Sequence, residues 1–218
     1  ALSPDLSLHP REYLYLVNYY GQLTDEKILY YKKYYKNIIV DHTHAFFQHP
    51  LPGVDTLYSC RKFFGLSDGA YLSTDATLTA GKEQDVSAER MGRFEKDAGT
   101  YYQKMLDNAA TYHHMKILTM SRLTQNLLKA IDYEQILQKR NENYRLLKEL
   151  LPSDSPFTRV TPDGPFAYPY YHKNGIALRK ALAKEKIFVP TNWSNVIRDC
   201  APESYEYQWA ADILPLPC

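Results

Sequence analysis

Asp41 closes the apolar run Ile38-Ile39-Val40, and Lys62 lies inside Ser59-Cys60-Arg61-Lys62-Phe63-Phe64-Gly65. A carboxylate at the exit of a buried strand and a lysine on a tight apolar loop one strand later form a pair with a defined chemistry. The carboxylate can keep a pyridine nitrogen protonated and so make the ring an electron sink. A lysine whose amine pKa is lowered by burial can attack an aldehyde and form a Schiff base. These are the two demands of pyridoxal 5'-phosphate. Ser59 can present its hydroxyl to a phosphate, and Gly65 lets the backbone turn closely around a cofactor. His44, three residues after Asp41, can stack on a flat ring or hydrogen-bond to it.

Each of these residues also has an ordinary reading. A lysine beside Arg61 is usually a solvated charge, an aspartate after a strand usually forms a turn or caps a helix, and a histidine is often structural. Tyr58, Phe63, Phe64 and Leu66 shift the balance for Lys62, because a buried ammonium is costly unless it has a chemical role. Asp41-His42-Thr43-His44 also permits a metal-dependent hydrolase, since His-x-His at a strand end plus a carboxylate can ligate an ion, with His9, His49, His113, His114 or His172 completing the site. Strand alternation counts against that arrangement, because it points Asp41 away from the face shared by the two histidines. A protein that only binds partners would need an exposed apolar or charged surface, which the sequence does not single out.

The bulk properties narrow the classes. The chain has 218 residues, 44% hydrophobic and 23% charged, which suits a globular fold with a sizeable core. With 26 basic and 25 acidic residues the net charge is +1, so no long-range field favours nucleic acid or an anionic membrane. The three cysteines are too scattered for a disulfide framework or a metal knuckle, and a reducing, cytoplasmic setting is expected. No apolar run approaches the roughly 20 residues of a membrane span, and Ala1 to Asp5 lack the features of a signal peptide. The 20 tyrosines read as half-buried amphipathic surface.

Elements that would position the pair follow from pattern. Tyr13 to Tyr20 reads as a strand buried on both faces and stopped by Gly21-Gln22. Thr24 reads as an N-cap with helix from Lys27 to Tyr35, and Asn37 to Val40 as the next strand, which makes a β-α-β unit with Asp41 at a carboxyl end, where ligands sit in such sheets. After the Pro50-Leu51-Pro52-Gly53 turn come a strand over Val54 to Ser59, the Lys62 loop and a strand over Gly69 to Ser73, adjacent strands flanking the lysine. From about Val86 to Leu151 the periodicity is helical and ends at Pro152. Phe166 to Tyr171 reads as a strand, Ile176 to Leu182 as an amphipathic helix, Ile187 to Val189 as a strand, and Ile213-Leu214 as a last apolar segment.

At these motifs the chain resembles pyridoxal phosphate-dependent aminotransferases of fold type I, closest to the DegT/DnrJ/StrS sugar-aminotransferase family. Val17-Asn18-Tyr19-Tyr20-Gly21-Gln22 resembles that family's strand ending in Gly-Gln. Ile39-Val40-Asp41-His42-Thr43-His44-Ala45 resembles its Asp-x-x-Gln/His-Ala motif. Ser59 to Gly65, followed by Asp68-Gly69-Ala70, resembles its lysine loop, with the serine and lysine spaced as in other type I transaminases. The resemblance implies Asp41 and Lys62 as catalytic residues, with Lys62, Asp41, His44 and Ser59 binding the cofactor. It also implies a homodimer, an amino donor such as glutamate, and a keto sugar or nucleotide-linked keto sugar as acceptor.

The expected architecture is α/β. It comprises part of a large, mainly parallel cofactor-binding domain over 1–83, a helical connection over 84–151, and a small α+β domain over 152–218. The chain reads as an internal portion of a longer enzyme or a shortened homologue, without the family's helix N-terminus that cradles the phosphate. A catalytically inactive fragment or degenerate homologue with only a binding or structural role is the alternative, and the metal-dependent hydrolase built on Asp41, His42 and His44 the second.

Overall fold

A computed structural model describes residues 7–66, 68–77, 99, 101, 103, 107 and 116–218. The fold is mixed α/β with a mainly parallel four-stranded sheet. Strand β1 (Leu14–Val17) leads through a short 3-10 turn into helix α1 (Asp25–Lys32), which returns to β2 (Ile38–Asp41). Thr24 caps α1 as its sequence predicts, its Oγ1 accepting from the Lys27 amide at 3.3 Å, while Asp25 and Glu26 face the helix's positive end. β3 (Asp55–Ser59) lies parallel to β2, and β4 (Ala70–Ser73) runs antiparallel to β3 and closes the order β1-β2-β3-β4. Ser59 pairs with Ala70, so the Lys62 loop is the connection between two adjacent strands, as expected.

Register sorts the strand residues onto two faces. Leu14, Leu16, Ile38 and Val40 meet Ile28, Tyr31 and Tyr35 of the α1 segment in one core. Tyr15, Val17, Ile39, Asp41, Leu57 and Ser59 lie on the other face. The expectation that β1 is buried on both sides fails here. Tyr13 and Tyr15 are 55% and 50% exposed, because α1 covers the Leu14/Leu16 face and no described element covers the opposite face at these tyrosines.

The predicted helical stretch is described from its second half onward; its portion before Lys116 falls almost wholly outside the described residues. Helix α2 (Arg122–Lys129) is capped by Ser121, whose Oγ accepts from the Thr124 amide, and α3 (Tyr133–Leu150) by Asp132. The buried Asp68 carboxylate accepts from the Ser121 amide and hydroxyl at 2.6 and 2.8 Å and from the Thr124 hydroxyl, tying the start of β4 to the start of α2. Phe63, Phe64, Leu66 and Cys60 pack with Leu128 in a second core.

The remainder forms a two-stranded antiparallel sheet, β5 (Ala167–Tyr171) with β6 (Ile213–Pro217), surrounded by α4 (Gly175–Lys184), α5 (Ser194–Asp199) and α6 (Tyr205–Asp212). Arg179 holds this unit from inside, donating to the carbonyls of Ala210, Ala211 and Ile213. The predicted strand over Ile187 to Val189 does not form. Lys186 takes a left-handed φ of 62°, the Ile187 amide turns back to the Leu182 carbonyl, and Ile187 and Phe188 are 50% and 79% exposed with no strand paired to them among the described residues. Among the described residues no helix is long and apolar enough to cross a membrane.

Candidate functional site

Asp41 sits at the carboxyl end of β2, where a central parallel strand presents its last side chain at the sheet's edge. Its Oδ1 accepts from the Thr43 amide at 2.8 Å, and its Oδ2 accepts from the Tyr15 hydroxyl at 2.7 Å. Burial, followed by Asp41's acceptor and charge, raises the Tyr15 pKa well above that of a free phenol, so the hydroxyl remains a donor to the carboxylate. Asp41 therefore forms the local turn that an ordinary aspartate would form, and a long-range tie to β1 as well.

His42 and His44 follow but diverge. His42 is 1% exposed and lies beside Asn18, Nδ2 to Nδ1 3.2 Å, and edge-on to Tyr58. His44 turns toward the second unit and stacks on Phe166, centroids 4.2 Å apart and planes 15° from parallel, with Tyr20 and Trp193 nearby. Its Nδ1 is buried and has no hydrogen-bond partner among the described residues. Burial pushes both imidazole pKa values down to about 4; for His44 the Lys62 charge adds to the depression and Asp41 opposes it. Both rings are thus neutral at physiological pH. The two histidines do not converge, and among the described residues no group of three or more His, Cys, Asp or Glu side chains is placed to hold a metal ion.

Lys62 ends the 3-10 turn Cys60–Lys62 that leaves β3. The expected burial of this lysine is not found. Phe63, Phe64 and Leu66 turn inward onto α2 and α3 and anchor the loop, which leaves the Lys62 side chain exposed. Its Nζ lies 5.7 Å from the centre of the Phe166 ring. Partial desolvation and the neighbouring Arg61 charge still lower its pKa from the ordinary lysine value. Ser59 precedes the turn on the same sheet face as Asp41, half-buried, and its hydroxyl does not cap the turn.

Two residues outside the sequence motifs organise the site. Phe166, at the entrance to β5, touches both His44 and Lys62. Arg140 of α3 donates to the Pro165 and Phe166 carbonyls at 3.1 and 3.2 Å and to the Phe63 carbonyl at 3.0 Å, with its guanidinium over the Phe63 ring. One side chain thus clamps the lysine loop to the Phe166 segment. Neither residue carries a local signal, since the Arg140 to Phe63 contact spans 77 positions. Gly21-Gln22 also acquires a structural role. The Gln22 amide exchanges two 2.8 Å hydrogen bonds with the Val160 backbone, and Gly21, at φ 72°, lies where a Cβ would come within 2.6 Å of Pro162.

No family model, curated protein or solved structure matches this chain. The functional reading therefore rests on the site's own geometry and on the motif resemblance.

Proposed function

We propose that the chain is, or is part of, a pyridoxal phosphate-dependent aminotransferase of fold type I. It would act as a homodimer and move an amino group from a donor such as glutamate to a keto sugar or nucleotide-linked keto sugar. The observation that carries the reading is that Asp41 and Lys62 follow the carboxyl ends of β2 and β3, with His44 stacked on Phe166 and the Lys62 Nζ 5.7 Å from the same ring.

The residues fit the cofactor's reactive end. Lys62 offers a solvent-accessible amine whose lowered pKa raises the share of the nucleophilic free base. Asp41 offers a carboxylate held in place by Tyr15 and Thr43, and His44 an unsatisfied buried nitrogen. Ser59 offers a hydroxyl for the phosphate. When bound, the cofactor supplies the electron sink that makes a substrate's α-proton removable. Lys62 would serve as base and acid for that proton, and Asp41 would be the carboxylate that pairs with the ring nitrogen.

A second reading, a homologue without chemistry that only binds or supports, is favoured by one observation: Phe166 stacks on the His44 face that a cofactor ring would otherwise meet. A single experiment separates the two. The chain is mixed with pyridoxal phosphate, its visible spectrum recorded, and borohydride added before peptide mapping. The aminotransferase reading expects a band near about 410–430 nm and a covalent label on Lys62, both lost in Lys62→Ala. No label on Lys62 supports the inert homologue, and a label that persists elsewhere in Lys62→Ala removes Lys62 as the nucleophile. Asp41→Ala should still take the label yet lack transamination; normal turnover in that variant would overturn the role given to Asp41.

A further inference from the structure

Both tryptophans of the chain, Trp193 and Trp209, line one apolar pocket of about 230 Å³, together with Tyr19, Tyr20, Phe157 and Glu206. This is below the roughly 300–1,000 Å³ of sites for drug-sized molecules, so a ligand here is small. The rings form walls rather than a stack. Tyr19 meets Trp193 at 85°, Tyr20 meets Trp193 at 84°, and Phe157 meets Trp209 at 78°. Tyr19, Trp193 and Trp209 remain 38%, 36% and 39% exposed, so these rings stay accessible to a small molecule.

Two of these aromatics occupy unfavourable backbone. Tyr20 and Trp193 have φ of 54° and 55°, a left-handed region costly for bulky residues and concentrated at ligand sites. Asn192 supports the arrangement by donating to the Tyr20 hydroxyl at 3.0 Å. Among the described residues that line the pocket, Glu206 is the one charged side chain. Ring faces carry negative potential, and a carboxylate at the rim adds to it.

We infer that this pocket binds a compact organic cation of the methylated or quaternary ammonium type, with its charge on the aromatic faces and its counter-charge at Glu206. The pocket adjoins His44 through Tyr20 and Trp193 but takes neither Lys62 nor Asp41 into its lining, so its test does not rest on the transaminase reading. Among the lining residues the charge is the Glu206 carboxylate, which disfavours an anion, while the Arg179 cation behind Tyr20 is committed to the carbonyls of Ala210, Ala211 and Ile213.

The test compares choline with 3,3-dimethylbutan-1-ol, in which carbon replaces the charged nitrogen, by tryptophan emission of the full chain at constant ionic strength. Because both tryptophans line the pocket, the emission reports on it directly. Choline should give a saturable change in the millimolar range, with the neutral analogue weaker by about tenfold. Glu206→Gln, an exposed and conservative change whose folding is checked by circular dichroism, should weaken choline about three- to tenfold, and Lys62→Ala should leave it unchanged. Equal binding of the two compounds, no saturable response to choline, or an unaltered Glu206→Gln variant would overturn the inference.

Discussion

His42 and His44 are held neutral by burial, each with its pKa pushed down to about 4 against about 6.5 for a free imidazole. Between those values the unfolded chain binds more protons than the folded one, so stability is complete above about pH 6.5 and is lost as pH falls toward 4. The loss amounts to at most about 3 kcal/mol per histidine. Urea midpoints measured at neutral pH and near pH 4.5 should therefore fall steeply for the wild-type chain. In His44→Phe, which can keep the stack on Phe166, the slope should be visibly smaller; an unchanged slope would mean that His44 is not a buried neutral base. The sequence picked out His44 for a ring-facing role and the structure does set it against a ring, but the ring is Phe166. Lys62 shows the same limit from the other side. The aromatic residues of its loop signal burial, and that burial goes to the loop's anchor rather than to the lysine.

Elements meet through a few polar clamps rather than through broad contact alone. Gln22 joins the turn after β1 to Val160, and replacing it by Ala leaves two backbone groups without their partner. A loss of about 1–3 kcal/mol is expected, read as a lower denaturation midpoint. Arg140→Met should cost about 2–4 kcal/mol, because three carbonyls lose a charged donor, and it should increase amide exchange across Cys60 to Phe64. If exchange there stays at the wild-type level, Arg140 does not position the lysine loop. The two clamps differ in legibility. Gln22 lies in a motif visible in the chain, although its partner is not. Arg140 sits unmarked among the charges of a helix that reads as amphipathic surface. Ile187 to Val189 fails for a related reason: β-prone residues form a strand only with a neighbour to pair with, and no described strand pairs with them.

At the scale of the whole molecule, the sheet face bearing Asp41 and Ser59 also carries the exposed Tyr13 and Tyr15, and Leu72 of β4 is 43% exposed. The proposed homodimer predicts twice the chain mass in sedimentation at micromolar concentration; a monomer at all concentrations would confine the site to one chain. What the sequence determined by itself is the local grammar: the Thr24 cap and α1, the parallel pairing of β1 and β2 through that helix, Asp41 at a strand end, and Lys62 between two adjacent strands. Caps, turns and apolar runs act over a few residues, so they are written in contiguous sequence. Only the tertiary structure decided that Tyr15 holds Asp41, that Phe166 meets both His44 and Lys62, that β6 pairs with β5, and that two tryptophans share one pocket. Those contacts join positions far apart in the chain, and their energies arise from burial and geometry that exist only after the elements have packed.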